Sequence, residues 1–138
     1  MTVNHRKSVL VVDDEYAMRH GLRRALPEAR YDVVTSPNGP DALAKVAERH
    51  FDAIISDIGM PEMNGIDFVR ILHKKSPDSA VIMLTAAIDP DRELEQVARE
   101  AGAIAYLSKP CKIDRIVKTI ESALDGKAAY HTAPPAAG

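Results

Sequence analysis

Asp13, Asp14, Asp57, Thr85 and Lys109 are scattered through the chain, yet each lies at the end of a short apolar run. Residues 8–12 lead into Asp13-Asp14-Glu15, and Ala53-Ile54-Ile55-Ser56 leads into Asp57. Residues 80–84 end on Thr85, and residues 104–107 end on Ser108-Lys109-Pro110. Apolar, partly β-branched runs of this length read as strands covered on both faces. An open α/β sheet collects its chemistry at the carboxyl ends of its strands. Three carboxylates gathered there would repel one another in a partly buried cleft. Lys109 supplies one positive charge, and a divalent metal would supply the rest. Oxygen-only ligands, few in number, favour Mg²⁺, which keeps several waters and often bridges to a phosphate. A hydroxyl and an ammonium beside Asp57 are the donors that a tetrahedral oxyanion needs. Singly, each residue has a plainer role. Asp57 could cap a turn, the acidic triplet could be helix N-terminal charge, Thr85 a strand residue and Lys109-Pro110 a turn. Their joint placement at different strand ends is what points to a site.

The elements that must position these residues follow from periodicity. Strands are expected over 8–12, 31–35, Ala53–Asp57, 80–84 and 104–107. Helices are expected between them and after the last. Met18, Leu22, Ala25 and Leu26 share one face of the first helix, whose first turn is expected to carry the acidic residues. Ala42, Leu43, Val46 and Ala47 form the stripe of the second, which Pro40 opens after a loop over 36–40. Ile66, Val69 and Leu72 point inward from the third, over 65–74. Asp89-Pro90 starts the fourth, with Leu94, Val97, Ala98 and Ala101 on one face and Gly102 as its C-cap. Ile113, Ile116, Val117, Ile120 and Leu124 mark the fifth, which Gly126 closes. Strict β/α alternation implies one α/β domain with a parallel sheet between two layers of helices.

Composition agrees with this. The chain has 138 residues, 46% hydrophobic and 28% charged, enough for one domain with a real core. A net charge of −2 offers no basic surface for nucleic acid. No apolar run approaches a membrane span, and residues 1–7 lack the apolar centre of a signal peptide. The single cysteine, Cys111, excludes an internal disulfide and suits a reducing compartment, so the cytoplasm is the expected location. Residues 127–138 are rich in Ala and Pro without apolar period, as in a tail or linker.

Four motifs carry a family resemblance: Val11-Val12-Asp13-Asp14-Glu15, Asp57-Ile58-Gly59-Met60-Pro61-Glu62-Met63-Asn64-Gly65, Leu84-Thr85-Ala86 and Tyr106-Leu107-Ser108-Lys109-Pro110. Residues 8–124 resemble a response-regulator receiver domain of two-component signalling, CheY-like in type. The resemblance implies a flavodoxin-like, doubly wound domain over 8–125 with five parallel strands in the order 2-1-3-4-5 and five helices. Residues 1–7 become an N-terminal extension and 126–138 a disordered tail or linker remnant. The resemblance also implies roles. Asp57 accepts a phosphoryl group. Asp14 binds Mg²⁺ directly, Asp13 mostly through water, and the Gly59 carbonyl is a further ligand beside Asp57. Thr85 and Lys109 contact phosphoryl oxygens, Tyr106 is the aromatic switch residue, and Lys109-Pro110 is cis.

Such a domain takes its phosphoryl group from a sensor histidine kinase or a histidine phosphotransfer protein. It then repacks its fourth helix, fifth strand and fifth helix, where an effector or a second copy binds. It catalyses only its own phosphorylation and dephosphorylation. A kinase would dock on the first helix, which carries Arg19, Arg23 and Arg24. Gly59 and Ala87, both small, occupy positions that tune the lifetime of the phosphorylated form. The stretch after Gly126 is too short for a DNA-binding domain. The rival reading is a Mg²⁺-dependent phosphohydrolase with an Asp nucleophile. It would need a general acid two residues after Asp57, where Gly59 stands, and a substrate cap for which the chain has no insertion.

Overall fold

The computed structural model describes residues 6–57, 59, 65–86 and 92–125. Strands and helices alternate as β1 (Lys7–Val12), α1 (Tyr16–Ala25), β2 (Tyr31–Ser36), α2 (Gly39–Glu48), β3 (Ala53–Asp57), α3 (Gly65–Lys75), β4 (Ala80–Thr85), α4 (Glu93–Ala101), β5 (Ala105–Ser108) and α5 (Ile113–Leu124). All neighbouring strands pair in parallel, in the order β2-β1-β3-β4-β5. This is the sheet order of the flavodoxin-like fold. A parallel neighbour needs a crossover long enough for a helix, and every intervening segment supplies one. The chain moves outward from β1 to β2, then returns past β1 to β3. At that reversal two crossovers leave in opposite directions and open a crevice beyond the strand ends. Asp13 follows β1 and Asp57 ends β3, so both stand at its mouth.

Alternation along the strands divides the core into two layers. Leu10, Val12, Ile54 and Met83 meet Phe68, Val69 and Leu72 of α3 and Ala98 of α4 on one face. Val9, Val11, Ile55, Ile82 and Leu84 meet Leu22 of α1 and Ile116 and Ile120 of α5 on the other. All five residues of β3 are buried. Truncating one of its isoleucines to alanine would cost about 2–5 kcal/mol through lost burial and a residual cavity. The strand that ends on Asp57 is thus buried along its whole length.

Helix ends follow local chemistry. Asn38 accepts the Asp41 N–H at 2.7 Å at the start of α2, and Pro40 lies in its first turn, where no amide is needed. Gly102 ends α4 at φ 126°, a backbone that favours glycine. A Cβ there would come within 2.7 Å of the His73 ring of α3, so glycine also lets the two helices approach.

Several sequence expectations need correction. The first turn of α1 holds no acidic residue. The helix begins at Tyr16, Glu15 is its N-cap without a side-chain cap bond, and the acids turn instead toward Lys109. Ala25 and Ala47, both expected on apolar stripes, are exposed, each in the last turn of its helix. Phe68, absent from the expected stripe of α3, is fully buried. α2 starts at Gly39, inside the stretch read as loop, and β5 is shifted by one residue to Ala105–Ser108. Asp89-Pro90, Ala87, Gly126 and the tail after it lie outside the described residues. Among the described residues, no helix is long and apolar enough to cross a membrane.

Candidate functional site

Asp13 comes directly after β1. Its N–H donates to the Ser36 carbonyl at 3.1 Å, which carries the β1–β2 pairing one residue past the strand. That bond holds Asp13 at the sheet edge, with no exposed surface. Its Oδ1 accepts the Glu15 N–H at 2.8 Å and its Oδ2 accepts from Lys109 Nζ at 3.0 Å. Asp57 is the last residue of β3 and is buried. Its Oδ1 accepts the Gly59 N–H at 2.9 Å, and its Oδ2 accepts from Lys109 Nζ at 3.1 Å. Asp14, by contrast, is exposed. Carboxylate oxygens of Asp13, Asp14 and Asp57 lie within 4.8 Å of one another.

Lys109 reaches this group from the loop after β5. Its main-chain N–H donates to the Thr85 carbonyl at 2.6 Å, which anchors the loop to the end of β4. The Lys109–Pro110 peptide is cis. Thr85 ends β4 and is buried, at the same edge as Asp57. Tyr106 lies on β5, half-buried against the core layer of α2, α3 and α4, away from the acids.

The electrostatics of the group are unbalanced. Burial pushes the Asp13 carboxyl above the ordinary carboxylate value, and the Glu15 N–H and Lys109 only partly offset it. For Lys109, burial works against the charged form, but hydrogen bonds to Asp13 and Asp57 outweigh it and hold the ammonium above its usual value. The same contact therefore acts in opposite directions at its two ends. Lys109 faces three carboxylates, whereas Asp13 has lost all its water for a share of one ammonium. Asp13, Asp14, Glu15 and Asp57 against one lysine leave a site that lacks positive charge. Its donors are all oxygen, and one of them is open to water. These residues fit a hard divalent cation such as Mg²⁺, which retains part of its hydration shell.

Two participants have other roles in the sequence reading, Glu15 as helix-end charge and Arg19 as part of a kinase-docking face. Glu15 Oε1 accepts from Lys109 Nζ at 3.1 Å, as a fourth carboxylate at the site. Its place beside Asp14 was visible, but it was read as helix charge. Arg19 is half-buried, and its Nη1 donates to the Asp13 carbonyl at 2.7 Å. The signal there was its position in the first turn of the helix that leaves the acid pair. Arg23 and Arg24 are exposed on the same helix. Cys111 is half-buried among the residues of α1 and α5, and burial raises its thiol further from ionisation. It is a packing residue.

Comparison with known proteins agrees with this architecture. The response regulator receiver domain family matches residues 9–121. The DNA-binding transcriptional regulator NtrC of Salmonella typhimurium is 38% identical over 119 residues, covering 86% of this chain and 25% of that protein. The chain thus spans about a quarter of that relative's length. Among solved structures, the chemotaxis response regulator CheY4 of Vibrio cholerae is 34% identical with a TM-score of 0.78, covering 86% of this chain and 99% of that one. The response regulator TrrA of Thermotoga maritima, solved in complex with Mg²⁺ and BeF, is 33% identical with a TM-score of 0.73, over 86% and 99% of the two chains. A buried aspartate that ends the central strand, a lysine just after the last strand and two acids just after the first are arranged on a fold that these relatives share, and the chain belongs to the response regulator receiver domain family of two-component signalling.

Proposed function

We propose that this domain is a phosphorylation-dependent signalling switch whose phosphoacceptor is Asp57. The observation that carries the reading is the Asp57 carboxylate, buried at a strand end, 3.1 Å from Lys109 Nζ and grouped with the oxygens of Asp13 and Asp14. A carboxylate oxygen of Asp57 attacks the phosphorus of a phosphohistidine on a sensor histidine kinase or histidine phosphotransfer protein. The new O–P bond forms an acyl phosphate as the N–P bond breaks. The bonding pair leaves with the imidazole, which takes up a proton.

Lys109 moves its hydrogen bonds from carboxylate to phosphoryl oxygens, and the wholly buried β3 fixes the place from which Asp57 attacks. Asp13, Asp14, Asp57 and the Gly59 carbonyl would hold Mg²⁺, which when bound supplies positive charge against the transferring oxygens. Water later returns Asp57 to the free carboxylate, so the chain acts only on its own phosphoryl group.

In the phosphorylated form Thr85 turns its hydroxyl to a phosphoryl oxygen, and Tyr106 moves into the space released. The surface of α4, β5 and α5 changes with them and is read by an effector, a separate partner or a second copy of the domain. Converting such a switch from mostly off to mostly on takes roughly 5.5 kcal/mol of differential interaction. A few charge-assisted hydrogen bonds from Lys109 and Thr85 to a dianion are of that order. The expected location is the cytoplasm, where sensor kinases present their phosphohistidines.

The test is intact mass after incubation with a small phosphodonor such as acetyl phosphate and Mg²⁺. The wild-type chain should gain one phosphoryl group, and Asp57→Asn should gain none. Labelling of Asp57→Asn, or steady turnover of a phosphate ester by the wild type, would defeat the reading. The second result would favour a phosphohydrolase.

A further inference from the structure

Asp13 is held at two points. Its carboxylate meets Lys109 and the Glu15 N–H, and its main-chain carbonyl meets Arg19. The second contact is unusual in chemical terms. A guanidinium beside a cluster of carboxylates would ordinarily pair with one of them in a forked bond. Among the described residues Arg19 forms no ion pair with Asp13, Asp14, Glu15 or Asp57. It donates instead to a neutral carbonyl, at 2.7 Å. Arg19 thus takes up none of the carboxylate oxygens itself.

Arg19 is itself kept in place. Its guanidinium lies 5.9 Å from the centre of the Tyr16 ring, and that ring stacks on His20 at 5.4 Å. Tyr16, Arg19 and His20 are neighbours at helical spacing. This accounts for a tyrosine that is 68% exposed: it covers the arginine.

Two effects of Arg19 on a bound cation oppose each other. As a nearby positive charge it repels the cation. As a clamp on the residue that carries ligand oxygens, it fixes their position in advance, as outer-shell partners of metal ligands do. We propose that Arg19 is a positioning residue, whose bond to the Asp13 carbonyl sets the turn that presents Asp13 and Asp14 to Mg²⁺, and that positioning outweighs repulsion. The inference rests on the Mg²⁺ site proposed above and adds the residue that orders it.

The experiment is calorimetric titration of Mg²⁺ into the full chain as wild type, Arg19→Met and Arg19→Lys, with the melting temperature of each measured metal-free. Arg19→Met retains the apolar stem and loses charge and donors. Its Mg²⁺ Kd should rise roughly tenfold or more. Arg19→Lys, which can still offer one donor, should fall between the two. A purely structural role would lower the metal-free melting temperature and leave the Kd of the folded chain unchanged. A purely electrostatic role would tighten binding in Arg19→Met. Either result overturns the proposal. Should Arg19→Met not fold, Arg19→Lys decides: weaker binding than wild type supports the proposal, and equal or tighter binding overturns it. A wild-type chain that binds no Mg²⁺ would defeat the proposed site itself. Wild-type binding with an equal Kd in the variants defeats only the role of Arg19.

Discussion

Asp13, a candidate metal ligand, opposes the stability of the domain that carries it. Its carboxyl is fully buried and its pKa is raised, so the ionised form is a cost at neutral pH. Its contribution favours the fold below the ordinary value of 3.8 and is lost as pH rises through the higher folded value. Asp13→Asn is uncharged throughout. The variant should melt a few degrees higher than the metal-free wild type at pH 7, and its melting temperature should depend less on pH just above 3.8. Its Mg²⁺ affinity should fall. Thermal melts across pH, with and without Mg²⁺, check both parts; a variant that melts lower at pH 7 would show that the bond to Lys109 outweighs desolvation. Sequence legibility at this scale was uneven. Asp13, Asp14, Asp57, Thr85 and Lys109 could be placed because each terminates an apolar run, and strand ends converge in this topology. Glu15 and Arg19 could not, because their roles depend on which way a turn directs a side chain and a carbonyl, and no periodicity encodes that.

The elements themselves were largely written in hydrophobic period and in the residues that interrupt it. Asn38 with Pro40, and Gly102 after Ala101, mark helix ends for reasons visible in the chain. The misread positions are those where tertiary packing decides. Phe68 of α3 packs with Leu10, Ile54 and Met83 in one core layer, whereas Ala47 in the last turn of α2 is exposed. Gly102 supports a quantitative expectation. Alanine there meets a backbone at φ 126° and a ring within 2.7 Å. Gly102→Ala should destabilise by about 1–3 kcal/mol from backbone strain alone, with the steric contact added. Pairing it with His73→Ala removes the ring but keeps the His73 Cβ, 2.8 Å from the new methyl, so the double variant should recover only part of the steric cost and leave the strain. Denaturant unfolding of the two single variants and the double variant measures this; full recovery in the double variant would mean that φ carries no cost.

At the scale of the whole molecule, two core layers hold a sheet whose carboxyl edge is given over to like charges. Anything that binds this edge only in the native state should stabilise the fold. By mass action, Mg²⁺ at one hundred times its Kd adds about 2.7 kcal/mol. Asp14 is exposed, so its loss should not disturb packing. Asp14→Ala should therefore melt near the wild-type temperature without metal and lose most of the rise that Mg²⁺ produces. A full Mg²⁺-dependent rise in that variant would remove Asp14 from the ligand set. The lysine that restrains these acids has a further consequence, one of timing. It lies 52 residues after Asp57 and 96 after Asp13. A ribosome therefore releases every acid before the ammonium that restrains them. Until residue 109 emerges and β5 pairs with β4, the growing chain lacks the contacts that Lys109 makes with Asp13, Glu15 and Asp57. On the function proposed above, a chain still short of residue 109 would present its acids without the ammonium that binds them.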